Sequence, residues 1–285
     1  MIGATRFRLT AEINRQSRLA SDIARAQSDI SSEKRLRTAS DDPSASARVA
    51  DIRRKQANET AWASNVDTAA AVATNADTTL KLVSTGLDRA RELVLAGSSA
   101  GASANDRASY AAELRGIVGD LAGYSAQTDS RGLPIFPDDT PLAIPIGRGI
   151  SVAATVSRAD AFGNVATADG TRDLASILTA AADAIAAPDG AARTAALATS
   201  VRDIAAATSH VADIHADQGR RAAQLDTARD RLADSAVTLE DERGALEGTD
   251  ITATVARLQA KLTTLEAAQA AFARISKQTL FDVLG

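Results

Sequence analysis

Few residues of this chain have side chains that could perform chemistry. There is no cysteine among its 285 residues, which excludes disulfides, thiolate zinc sites and cysteine catalysis. The two histidines, His210 and His215, lie five residues apart and outside any H-E-x-x-H frame, so we expect no zinc site. Residues 97–101 match the G-x-S-x-G pattern of hydrolases, but that motif follows a strand, whereas a helix is predicted here. We therefore expect neither an enzyme nor a bound cofactor or metal.

Composition narrows the class of protein further. The net charge of −4 argues against nucleic acid as the main ligand, and no apolar run approaches the ~18 residues of a membrane span. Aromatic residues make up only 3% of the chain, and alanine supplies much of the hydrophobic share. Because alanine favours helices and buries little area, we expect long, closely packed helices.

The two ends of the chain have the most regular pattern. Apolar and small residues there alternate at spacings of four and three, an average of 3.5 residues, which is typical of helices that form coiled coils. In the N-terminal stretch these positions are Leu9, Ile13, Gln16, Ala20, Ile23, Gln27 and Ile30. In the C-terminal stretch they are Ile251, Val255, Leu258, Leu262, Leu265, Gln269 and Phe272. We expect the two ends to pair with each other or with copies of themselves.

A helix stop and restart follows the first terminal segment. Asp42 is placed to accept bonds from the free N–H groups of the next helix, and Pro43 suits the first helical position. Asp41 and Asp42 would also meet the positive end of that helix dipole. The sequence thus predicts a capped turn between two helices.

The whole pattern predicts a mainly α fold: an elongated antiparallel helical rod with terminal coiled-coil helices and a small β- and loop-rich insert at its distal end. Four of the six prolines lie in the insert, where residues 142–146 and 150–156 have the composition of strands. Leucines at positions 225, 232, 239 and 246 recur every seven residues on a long returning helix. We divide the chain into an N-terminal assembly segment (1–43), two helical halves (44–128 and 174–247), the insert (129–173) and a C-terminal assembly segment (248–285).

Several short motifs resemble those of the flagellin family. They are Ile13-Asn14-Arg15-Gln16, then Ser31–Leu36, then Ser40-Asp41-Asp42-Pro43, and near the C-terminus Gly248-Thr249-Asp250-Ile251. The tail Leu280-Phe281-Asp282-Val283-Leu284 is similar to that of the hook-associated protein 3 branch of this family, with Val283 where tyrosine is usual. The resemblance covers roughly residues 1–95 and 195–285.

This resemblance implies a structural protein of the bacterial flagellum that joins the hook to the filament. It implies helical or ring assembly with copies of itself, and contacts with hook-associated protein 1, flagellin and an export chaperone. It also implies extracellular localisation by the flagellar type III route, and no cleavable signal peptide is visible. The expected assembly residues are Ile13, Ile23, Ile30, Asp41, Asp42, Pro43, Ile251, Val255, Leu258, Leu262, Leu265, Phe272, Leu280, Phe281 and Leu284.

Two alternatives remain open from the sequence. One is flagellin, or a flagellin-like surface protein that builds long filaments from the same ends. The other is a helical signalling or receptor rod, or an enzyme built on the insert. The tail favours the junction protein over flagellin, and the lack of a membrane span and of a catalytic constellation weighs against the last reading.

Overall fold

The protein is described from a computed structural model, which gives the backbone of residues 2–284 and the side chains of residues 7 and 10–274. Within these residues the chain is mainly helical. The helices are α1 (Ile2–Ser32), α2 (Pro43–Ser98), α3 (Ala104–Ser125), α4 (Arg158–Phe162), α5 (Leu174–Ala186), α6 (Ala191–Glu247) and α7 (Ile251–Leu284). The strands are β1 (Ala143–Gly147), β2 (Ile150–Ala153), β3 (Val165–Thr167) and β4 (Gly170–Arg172).

The chain forms two compact units. Unit 1 combines Met1–Ala57 with Ala236–Gly285, and unit 2 is the continuous segment Asn58–Ser235. Helices α2 and α6 each contribute residues to both units. Unit 1 therefore contains both ends of the chain, and unit 2 contains the strands.

Unit 2 has a helical core that includes buried residues of α6 seven positions apart. Four helices contribute fully buried side chains, among them Leu80 and Leu87 of α2, Leu114 of α3, Ile177 and Ile185 of α5, and Ile204 and Val211 of α6. Phe136 and Phe162 meet edge-to-face at 5.1 Å between ring centroids beside this core. A second cluster joins α2 and α6 around Val66, Leu225 and Leu232. The single tryptophan, Trp62, is half-buried and packs against this cluster.

Two antiparallel hairpins form the β part of unit 2. Strand β1 pairs with β2, with a register shift between Pro145 and Gly147, and β3 pairs with β4. The first hairpin is fixed to the helices by Gln218, which is fully buried and donates to the carbonyl oxygens of Ala73 (3.3 Å) and Ala154 (2.8 Å). Through these two bonds the Gln218 amide links α6 to α2 and to Ala154, the residue that follows β2.

The predicted mainly α class, with antiparallel helices and small β-strands in the middle, is confirmed. The first hairpin lies where strands were expected, although β2 ends at Ala153 rather than Val156. Helix α4 and the second hairpin were not predicted. The G-x-S-x-G match starts inside the end of α2, with no strand before it, as expected.

Candidate assembly interface

Helices α1 and α7 pack antiparallel in unit 1, with one side of each helix shielded from solvent. On α1 the shielded positions are Gln16, Leu19, Ile23, Ala26 and Ile30; on α7 they are Thr254, Leu258, Lys261, Leu265, Ala268 and Phe272. Both rows alternate by three and four residues, as in a coiled-coil seam. The Lys261 Nζ lies 2.7 Å from Asp22 Oδ2 and forms an ion pair between the two helices.

The predicted assembly residues on α1 and α7 whose side chains are described divide into two groups. Ile23 is buried, and Ile30, Val255, Leu258, Leu265 and Phe272 are half-buried. Three others remain exposed beside the seam: Ile13 at 54%, Ile251 at 43% and Leu262 at 38%. Leu280, Phe281 and Leu284 lie outside the residues whose side chains are described. The helix pair thus leaves large apolar side chains in solvent.

The seam differs in part from the one read off the sequence. Leu19 and Ala26 occupy shielded positions of α1, while Ala20 and Gln27 are exposed. On α7, Lys261 and Ala268 replace Leu262 and Gln269 in the shielded row. The physical reason is that the 4–3 alternation fits two adjacent rows of each helix, so the pattern alone does not determine which row faces the partner helix.

A backbone joint connects the two linkers at the base of this helix pair. The N–H of Thr249 donates to the carbonyl of Glu33 (3.0 Å), and the N–H groups of Arg35 (2.8 Å) and Leu36 (3.3 Å) donate to the carbonyl of Glu247. Lys34 and Gly248 form an antiparallel bridge between these bonds. Glu33 has a positive φ of 55°, which turns the chain out of α1 and into this joint.

The Glu247 carboxylate is the charged centre of the joint. Its residue is only 7% exposed, and its oxygens lie 2.5 Å from Arg53, 3.9 Å from Arg243 and 4.0 Å from Lys34. Three cations around one buried carboxylate supply the pairing that a buried charge requires. Sequence reasoning missed this residue, although a glutamate directly before Gly248, at the boundary of two predicted helices, was a usable signal.

The Asp41-Asp42-Pro43 turn has the predicted capping geometry. The Oδ1 of Asp42 accepts from the N–H of Ala45 (3.0 Å) and from Ser44 Oγ (2.8 Å), and Pro43 begins α2. These bonds, the backbone bond first, lower the pKa of Asp42 below its usual value. The pKa of Asp41 is lowered as well, because the N–H groups of Thr38 and Arg37 donate to it and Arg25 lies beside it.

The remaining polar groups do not form a reaction centre. His215 Nε2 lies 2.8 Å from Asp77 Oδ1, and His210 Nε2 lies 2.8 Å from the carbonyl of Asp160, so the two rings serve different contacts. Among the residues with described side chains, no three of the metal-binding types lie together. None of the described helices has an apolar stretch long enough to cross a membrane.

Comparison with known proteins gives one sequence family and one fold. The family model of the bacterial flagellin N-terminal helical region matches residues 9–138. No curated protein sequence matches the chain. Among solved structures, a Vibrio parahaemolyticus protein assigned as a flagellar hook-associated protein is 16% identical, with a TM-score of 0.65 over 73% of this chain and 100% of that one.

Two FlgL structures are similar in the same way. FlgL of Xanthomonas campestris is 16% identical, with a TM-score of 0.63 over 68% of this chain and 99% of that one. The flagellar junction protein FlgL of Legionella pneumophila is 14% identical, with a TM-score of 0.57 over 70% and 100%. At this level of identity the likeness establishes the fold, and the family match establishes the kind of N-terminal region. The chain therefore has a FlgL-like fold, and its residues 9–138 match the flagellin N-terminal helical region.

Proposed function

We propose that this protein is the junction between the flagellar hook and the flagellin filament. In this role it binds a hook-associated protein on one side and flagellin on the other, and its terminal segments (residues 1–43 and 248–285) associate with those of neighbouring copies. We further propose export by the flagellar type III route with the help of an export chaperone. The FlgL-like fold and the family of the N-terminal region support this proposal.

One observation carries the assembly mechanism. The α1–α7 pair is formed by opposite ends of the chain, yet Ile13, Ile251 and Leu262 remain 54%, 43% and 38% exposed. Burying the rest of one such side chain contributes roughly 1 kcal/mol. In a helical array every copy contributes these side chains, so the contributions add up over the assembly. The exposed apolar side chains of such a coiled-coil pair can pack against the corresponding helices of other copies.

The test uses electron microscopy of the purified protein, first alone and then with isolated hooks. Short collars on the hook ends that then accept flagellin support the junction role. Long filaments without any seed would instead identify a flagellin, and the absence of both would leave only a helical rod.

A variant pair tests the mechanism. Leu262→Asp places a charge on the exposed apolar row and is expected to abolish collars while circular dichroism stays unchanged. Thr263→Asp adds the same charge at an exposed polar position of the same turn and should still assemble. Equal assembly by both variants would contradict the role given to the apolar row.

A further inference from the structure

Unit 1 carries opposite charges on its two long helices. The α2 segment of unit 1 (residues 43–57) has four basic residues and one acidic residue, and the α6 segment (residues 236–247) has four acidic residues and one basic residue. These two segments pack against each other through Val49 and Ile52 on one side and Leu239 and Leu246 on the other. The residues that point away from this contact therefore lie on opposite sides of the helix pair.

Part of this charge is used inside the subunit. Arg53 pairs with the buried Glu247, and Arg48 lies 3.4 Å from Glu242. Arg54 pairs with Asp51 of its own helix and stays 71% exposed. Among the described residues, Lys55 and Asp241 are exposed and have no ion-pair partner. Each segment thus has a charge left over, positive on α2 and negative on α6.

The shapes of the two outer surfaces also differ in a matching way. On α2 the outward positions beside Arg54 are Ala47 and Ala50, which leave a shallow floor. On α6, Val237 is 63% exposed and lies one turn from Asp241, with Gly244 one turn further on. We name the first surface the basic face (Ala47, Ala50 and Arg54, with Lys55 at its edge, about 100° further round the helix) and the second the acidic face (Val237, Asp241 and Gly244).

We propose that the basic face of one copy binds the acidic face of a second copy, with Val237 against the alanines and Asp241 beside Lys55. The contact uses two different surfaces of the same chain, so each copy keeps one free face and the next copy can bind. Such a head-to-tail arrangement builds a ring or an open helix rather than a closed dimer. This inference rests on the proposed function, because it supplies the side-by-side contact of the assembly, separate from the α1–α7 segments.

Charge reversal tests the contact without disturbing the ion pairs inside the subunit. Lys55→Glu and Asp241→Lys each place like charges across the contact and are expected to raise the protein concentration for half-maximal collar formation about tenfold at low salt. The double variant Lys55→Glu/Asp241→Lys restores opposite charges and should assemble almost as the wild type does. Single variants that assemble like the wild type, or a double variant no better than the singles, would overturn the proposal.

A crosslinking experiment locates the contact directly. Carbodiimide joins lysine ammonium groups to nearby carboxylates without a spacer, so assemblies of mixed ¹⁴N- and ¹⁵N-labelled protein should give intermolecular crosslinks from Lys55 to residues 240–242. Crosslinks elsewhere in the assembly without this one would refute the contact. If the wild type does not bind hooks at all, the proposed function fails. The same crosslink in concentrated protein alone then decides the contact, its presence supporting the proposal and its absence rejecting it.

Discussion

Replacing Glu247 by glutamine should loosen the joint at the base of the terminal helices. The substitution keeps the size of the side chain but removes a charge that is 7% exposed and faces Arg53, Arg243 and Lys34. Breaking a fully buried ion pair costs ~3–5 kcal/mol, mainly because the other charge is left buried. Here the Arg53 and Lys34 side chains are 60% and 57% exposed, so water can solvate them again. We therefore expect a loss of about 2 kcal/mol, close to that of one charged hydrogen bond.

Hydrogen exchange measures this loss where it occurs. The amides of Arg35, Leu36 and Thr249 donate across the joint, and about 2 kcal/mol corresponds to roughly 30-fold faster exchange at these three sites. Glu242→Gln is the matched control, because its pair with Arg48 is 3.4 Å long and both side chains are about half exposed. We expect less than about twofold change there. If both variants exchange equally at the three amides, the Glu247 carboxylate does not stabilise the joint.

Four further substitutions test the packing and the capping turn. Gly97→Ala would place a Cβ 3.0 Å from Ile185, so we expect the free energy of unfolding, measured in urea, to fall by about 1–2 kcal/mol. Gly119→Ala is the control: its Cβ meets open space, so it should stabilise α3 by up to ~1 kcal/mol. Equal effects of the two substitutions would contradict the close packing at Gly97. Gln218→Leu leaves the carbonyl of Ala154 without its side-chain donor, while the carbonyl of Ala73 still accepts within α2, so the free energy of unfolding should fall by about 1 kcal/mol; a more stable variant would refute this. Asp42→Ala should lower the thermal midpoint at pH 7. The pKa of Asp42 is lowered in the fold, so its stabilisation is complete above the ordinary aspartate pKa of ~4 and disappears as the pH falls through the lowered value. The thermal midpoints of the wild type and the variant should therefore converge in acid. A difference in midpoint that does not change with pH would exclude the ionised cap.

Sequence periodicity predicted the helices and the association of the chain ends, and the reason is visible in individual residues. The seven-residue spacing of Leu225, Leu232 and Leu239 is long enough to define one side of a helix without ambiguity, and all three are buried. The Asp42-Pro43 cap depends only on local bonds, which the sequence specifies directly.

The features missed from the sequence depend on distant partners or on very short segments. Whether Leu262 or Lys261 faces the other helix depends on packing against α1, where Lys261 meets Asp22, 239 residues away in the chain. Strands β3 and β4 have three residues each, too few for an alternation to be recognised, although the Asp169-Gly170 pair, where β4 begins, is a common turn signal. Glu247 became a candidate only when the fold brought Arg53 and Lys34 around it.

The joint between the two linkers also constrains the order in which the chain can fold. Its bonds connect residues up to 216 positions apart (Glu33 and Thr249), and closing a flexible loop of that length costs about 5 kcal/mol in chain entropy. Unit 2 removes most of this cost once it is folded, because Ser235 Oγ donates to Glu59 (2.7 Å) and so holds the two ends of that unit together. We therefore expect unit 2 to fold first. Because unit 2 lies between α1 and α7 in the sequence, α1 can pair with α7 only after unit 2 has been made, so we expect the α1–α7 pair to be the slowest part of the protein to become structured.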